Sequence, residues 1–173
     1  MSSKPSEADV PPVPICSSPP CYAAEFPGYF GEGAERVNPV LIDGLNALLE
    51  AERAGAKVLA ILRDGLDARS PERGLLERLQ KDEGANAVLL YKTIRRLGGM
   101  ASHDTGAFVQ KTLAVDGLAA RLVFLNKGQA WVVRKIDQVL PEVEDEAARA
   151  MLVEMRVSHL DNIAACEALL AMG

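Results

Sequence analysis

From residue 39 to residue 171 apolar side chains return every three or four positions, and helix punctuation brackets each run. Asn38 followed by Pro39 reads as an N-cap with proline at the first helical position, and Gly65 closes the segment. Between them Leu41, Leu45, Leu48, Glu52, Gly55, Leu59 and Leu62 form one stripe, predicting a helix over 39–64. Ser70 and Pro71 repeat the signal, and Gly98 and Gly99 end a second helix with the stripe Leu76, Leu79, Glu83, Asn86, Leu90, Ile94 and Leu97. A third helix is predicted over about 117–139 from Leu118, Leu122, Leu125, Gln129, Val132, Ile136 and Val139. After Pro141 a fourth, about 143–171, carries Ala148, Leu152, Met155, His159, Asn162, Cys166 and Leu169. The stretch from Met100 to Gly117 is less regular, with His103, Asp104 and Thr105 as a turn and a short helix expected over 106–114.

Four helices of this length make an all-α bundle roughly 33–43 Å long at 1.5 Å per residue. The first and last links are short and make antiparallel neighbours, whereas the link between the second and third long helices can travel the bundle's length. The order implied is up, down, crossover, down, up.

Six polar residues interrupt the apolar stripes: Glu52, Glu83, Asn86, Gln129, His159 and Asn162. A stripe buries its members, so each needs a partner or a purpose. All lie near the middle of their helices, which places them in one polar layer at the bundle centre.

Residues 1–37 have a different character. They hold seven of the ten prolines, which exclude a helix interior, and four of the eight aromatics: Tyr22, Phe26, Tyr29 and Phe30. An aromatic cluster on such a chain is expected to dock, either on its own bundle or across a partner subunit, with Cys21 at its start. The reading is an extended N-terminal arm over 1–37 and a bundle over 38–173.

Composition narrows the chemistry. The chain has 49% hydrophobic but only 5% aromatic residues, which favours packed helices over a sandwich or barrel. A net charge of −5 offers no general field for nucleic acid or an anionic membrane surface. No apolar run reaches membrane-spanning length and no signal peptide opens the chain, so the expected compartment is the cytoplasm. Cys16, Cys21 and Cys166 have no zinc-ribbon spacing, and two histidines are too few for a histidine-rich metal store. Cys166 reads as a small buried hydrophobe, Met151 and Met155 as core filling, and His103 as a loop residue. Trp131, one position off the inner stripe, marks a surface where the arm or a second subunit packs.

The architecture, with Glu52 in the run Leu48 to Ala54 and Glu83 in the run Lys81 to Asn86, resembles the ferritin-like superfamily, which includes rubrerythrins and bacterioferritins. It is also similar to a bacterial branch with a short Cys- and Tyr-containing N-terminal segment, as in Pro20-Cys21-Tyr22 to Tyr29. The resemblance implies a di-metal site built from one Glu on each of two helices and a Glu-x-x-His pair on each of the other two. On that pattern Glu52 and Glu83 are kept, Asn86 replaces a histidine, Gln129 replaces a carboxylate, and His159 is preceded three positions earlier by Arg156.

Two readings of function follow, beside a third in which Arg156 points outward and the polar positions are scattered core exceptions without common purpose. In one, Arg156 reaches toward Glu52 or Glu83 in place of a metal cation, and Asn86, Gln129 and Asn162 complete a polar network with no cofactor. The chain is then an accessory or interaction protein, a homodimer or a subunit of a larger complex, acting through its surfaces and arm. In the other, Glu52, Glu83 and His159 hold a single Fe, Mn or Zn in a non-haem oxidoreductase or iron-handling protein.

Overall fold

The computed structural model describes residues 37–172. Its helices are α1 (Pro39–Asp64), α2 (Pro71–Arg96), the short α3 (Phe108–Leu113), α4 (Leu118–Val139) and α5 (Glu146–Leu170), with a single 3-10 turn at Leu140–Glu142 before α5. The caps of α1 and α2 are those expected of the sequence: Asn38 accepts from the backbone N–H groups of Val40 and Leu41, and Ser70 from Arg73. α5 starts a little later than the expected 143, behind Asp145, which accepts from the Ala148 N–H. Asp145 is also paired with Arg96 at 2.6 Å, and that hydrogen bond, with the cap, lowers its pKa to about 2.

α1 packs on α2 and α4 packs on α5, while α1 also meets α4 and α2 meets α5. The diagonals are therefore α1 with α5 and α2 with α4. The direction of each helix follows from its core partners. One apolar cluster joins Leu41, Ile42 and Leu45 at the start of α1 to Leu90 and Ile94 late in α2, Ile136 and Val139 late in α4, and Ala148 and Leu152 early in α5. The other joins the opposite ends, among them Leu59 of α1, Leu76 of α2, Leu122 of α4 and Cys166 of α5. This is the up, down, crossover, down, up order.

The crossover is fastened to α1. Asn46 donates to the Met100 carbonyl at 2.9 Å and accepts from the Ser102 N–H at 2.7 Å, and Arg53 donates to the Ser102 carbonyl. Gly99 fits against Ile42, whose side chain lies 2.6 Å from where a Cβ would stand. Further along, α3 buries Val109 and Thr112 and packs on α1 and α4.

Cys21, Tyr22, Phe26, Tyr29 and Phe30 lie outside the described residues. Among the described residues no helix is long and apolar enough to cross a membrane.

Candidate functional site

The polar layer lies between the two apolar clusters, and all four long helices contribute to it. Counting along each helix explains the placement: Glu52 follows Leu49 and precedes Ala54, Glu83 and Asn86 fall between Leu79 and Leu90, Gln129 between Leu125 and Val132, and His159 and Asn162 between Met155 and Cys166. Glu52, Glu83, Gln129, His159 and Asn162 are buried.

The side chains of all of these but Asn162, together with that of Asn86, form one continuous hydrogen-bonded path. Asn86 Nδ2 donates to Glu52 Oε2 at 3.1 Å, and Glu52 Oε1 meets His159 Nε2 at 2.8 Å. His159 Nδ1 meets Gln129 Oε1, and Gln129 Nε2 donates to Glu83 Oε1. The Gln129 amide thus joins the His159 ring to Glu83, its oxygen against the ring and its nitrogen on the carboxyl group. Burial holds the Glu83 carboxyl well above the usual carboxylate range, the nearby Glu52 adds to this, and the bond from Gln129 opposes it.

Arg156 takes no part. It lies at the surface of α5 and pairs with Asp137 of α4 at 2.7 Å, which corrects the expectation that it reaches Glu52 or Glu83. The physical reason is helical rotation. Three residues before His159 falls on the flank toward α4, whereas Asn162, three residues after it, stays buried. The inward pair on α5 is thus His159-x-x-Asn162, matching Glu83-x-x-Asn86 on α2. Asn162 Nδ2 has no hydrogen-bond partner among the described residues.

A cavity of about 420 Å³ opens beside this layer, between α1 and α4 and under the crossover. Glu52, Glu83, Gln129 and His159 line its inner end. Small residues of α1, Ala47, Ala51, Ala54 and Gly55, make one wall, and Phe108 and Phe124, stacked with centroids 5.5 Å apart, stand on the other side. Two glycines make this possible. At Gly55 a Cβ would stand 1.7 Å from Glu83 Oε2, and at Gly128 one would stand 2.7 Å from the Phe108 ring. Trp131, 42% exposed, lies at the cavity's outer part with Lys111, Lys127 and Glu50. The sequence carried a signal for this cavity in the close spacing of small residues on α1, but a small residue beside a stripe reads equally as ordinary helix packing.

Other candidates fall where sequence reasoning put them. Cys166 is buried and its thiol is pushed up to about 11, chiefly by that burial, which suits a small core hydrophobe. Met155 fills core, and Met151 accepts a hydrogen bond from Thr93. Arg53, off the inner stripe of α1, holds the crossover through the Ser102 carbonyl.

The di-metal centre of ferritin-like proteins draws two lone glutamates and two Glu-x-x-His pairs from four helices. Here the four long helices bring Glu52, Gln129, Glu83 with Asn86, and His159 with Asn162 to one level. Both His159 ring nitrogens face oxygens of the network, and among the described residues no three His, Cys, Asp or Glu side chains group to hold an ion.

Comparison with solved structures places the fold. The chain is similar to a dodecameric thioferritin, the bacterioferritin-related protein from Bacteroides fragilis, at 15% identity and a TM-score of 0.66 over 77% of this chain and 85% of that one. It is also similar to a ferritin-like diiron-carboxylate protein from Bacillus anthracis str. Ames, at 18% identity and a TM-score of 0.56 over 78% of this chain and 92% of that one. The fold is ferritin-like. No curated protein sequence matches the chain. The model of a domain of unknown function, DUF6306, covers residues 39–168, nearly the whole bundle, and the chain belongs to that family.

Proposed function

We propose that this chain is a metal-independent ferritin-like protein that works as an accessory or interaction protein and associates with a second copy of itself. The observation that carries the reading is the path from Asn86 through Glu52, His159 and Gln129 to Glu83, in which side chains satisfy the groups that metal ions serve in a di-metal bundle. Such a centre stores no redox equivalent, so the work passes to binding.

The surface for self-association is the outer face of α5. Ala150, Val153, Val157, Leu160 and Ala164 are exposed there and recur at alternating three- and four-residue steps, the spacing of a coiled-coil seam. Val153, Val157 and Leu160 are 45%, 51% and 43% exposed, although they sit opposite the face that enters the core. Arg149 and Arg156 flank the seam on one side, and Glu154 and Asp161 on the other. In a parallel pair of seams a flanking residue meets the one five positions later in the partner, which sets arginine against acid at both levels. The seam thus suits another copy of itself.

Two measurements test this. Elemental analysis of protein purified without chelator, with Glu52→Ala and His159→Ala alongside, is expected to find no stoichiometric Fe, Mn or Zn. Metal near one equivalent that is lost in both variants would overturn the reading. Sedimentation equilibrium is expected to give an assembly that Val157→Asp dissociates, and an unchanged mass in that variant would remove α5 as the interface.

A second reading has one observation in its favour: two buried carboxyl groups, Glu52 and Glu83, lie close enough to raise the pKa of Glu83, and a cation would relieve both. It makes the chain a single-metal oxidoreductase or iron-handling protein on Glu52, Glu83 and His159. The same elemental analysis decides between the two.

A further inference from the structure

The 420 Å³ cavity has the size of a small-molecule site and ends on polar groups, whereas its walls are apolar. Glu83 is the group at its inner end with unused capacity. Its Oε1 accepts from Gln129, but Oε2 makes no hydrogen bond among the described residues and lies over Gly55, in the space a Cβ would fill. Glu52, His159 and Gln129 beside it have their polar atoms committed to one another. The walls are Ala51, Ala54 and Gly55 on one side and Phe108 and Phe124 on the other, which suit a slender apolar or aromatic body and offer ring faces to a cation.

We infer that the cavity binds a small primary amine, its ammonium group on Glu83 Oε2 and its apolar body lying between the alanine wall of α1 and the phenylalanine pair toward Trp131. An ammonium group there gives Oε2 the hydrogen-bond donors it lacks, at the one end of the cavity where carboxyl groups gather. The other titratable groups around Glu83 are Glu52 on α1, Asp82 on its own helix, and His159 and Cys166 on α5, while α4 presents the neutral Gln129. At the outer end Lys111 and Lys127 outnumber the single carboxylate of Glu50 and oppose a second positive charge, which favours a monoamine over a diamine.

The inference rests on the metal-independent reading of the centre, and the experiment separates the two. Full-length protein shown metal-free by elemental analysis is titrated with phenethylamine, and the fluorescence of Trp131, the sole tryptophan, is followed. Saturable quenching or enhancement is expected, with 2-phenylethanol, 3-phenylpropionate and cadaverine each at least about tenfold weaker, the scale of one hydrogen bond to a buried charge. Glu83→Gln should lose that preference for amine over alcohol, and Ala51→Leu, which fills the cavity and leaves every polar group in place, should abolish the response to both. No saturable change in wild type, or equal affinity for amine and alcohol, or an unaltered preference in Glu83→Gln overturns the amine site and leaves the metal-independent reading standing. Metal that copurifies at stoichiometry and blocks the titration overturns that reading instead.

Discussion

Replacing Gly55 by alanine tests the tightest contact in the site. In a helix interior the change ordinarily stabilises by about 1 kcal/mol, because glycine has more backbone freedom to lose on folding. At Gly55 the new Cβ would stand 1.7 Å from Glu83 Oε2 and 2.7 Å from its Cδ, closer than atoms can approach. The carboxyl group is the flexible end of its side chain and can swing away, but swinging breaks the bond from Gln129 and leaves buried polar atoms without partners. That costs about 1–3 kcal/mol. Gly84, in α2, is the matched control, since a Cβ there meets nothing within 4 Å. The propensity gain is common to both variants and cancels, so Gly84→Ala should exceed Gly55→Ala in stability by about 1–3 kcal/mol. Urea unfolding followed by far-ultraviolet circular dichroism, with the slopes compared, measures the difference. Adding Glu83→Ala removes the atoms in conflict, and in a double-mutant cycle the penalty at Gly55 should then shrink. Equal stability for the two alanine variants, within about 0.5 kcal/mol, would mean that Glu83 does not press on α1.

Three further outcomes are expected. Gln129→Leu strands both His159 Nδ1 and Glu83 and should destabilise by about 2–5 kcal/mol in urea; a loss below about 0.5 kcal/mol would mean that the amide does not bridge them. Glu83 holds its proton to a higher pH in the folded chain than in the unfolded one. Its contribution is therefore full below the unfolded value, about 4.3, and declines as pH rises toward the folded pKa. Glu83→Gln should flatten that decline, and a stability profile above pH 5 parallel to wild type would count against a buried Glu83. Arg156→Ala should leave the urea midpoint where it is, because the side chain pairs with Asp137 at the surface; a large loss would return Arg156 to the centre.

The bundle was legible because caps and stripes agreed. Asn38 with Pro39 and Ser70 with Pro71 start α1 and α2 where their sequences say they should, and the polar interruptions fell at one level because every helix carries its own near mid-length. Arg156 was misplaced for a reason that sequence spacing cannot remove. The family pattern fixes a separation of three but not which of its two places His159 fills, and His159 has a polar residue three places away on both sides. Only the rotation set by Leu152, Met155 and Cys166 selects Asn162. The cavity was harder still, since it depends on Phe108 from the crossover meeting Gly128 of α4, a contact between segments whose link has no periodicity to read.

The hydrogen-bonded path also specifies alignment. It begins on α2 at Asn86, crosses to α1, spans one diagonal to α5, steps to α4 and returns over the other diagonal to α2 at Glu83. Leucine packing tolerates a helix that slides by one turn, about 5.4 Å, because one apolar ridge resembles the next. A hydrogen bond near 3 Å does not. Each long helix is therefore keyed at a single level, and a chain collapsed with one helix out of step would bury unpaired carboxyl and amide groups in both apolar halves. The layer that once looked like the remnant of a metal site serves as the bundle's ruler.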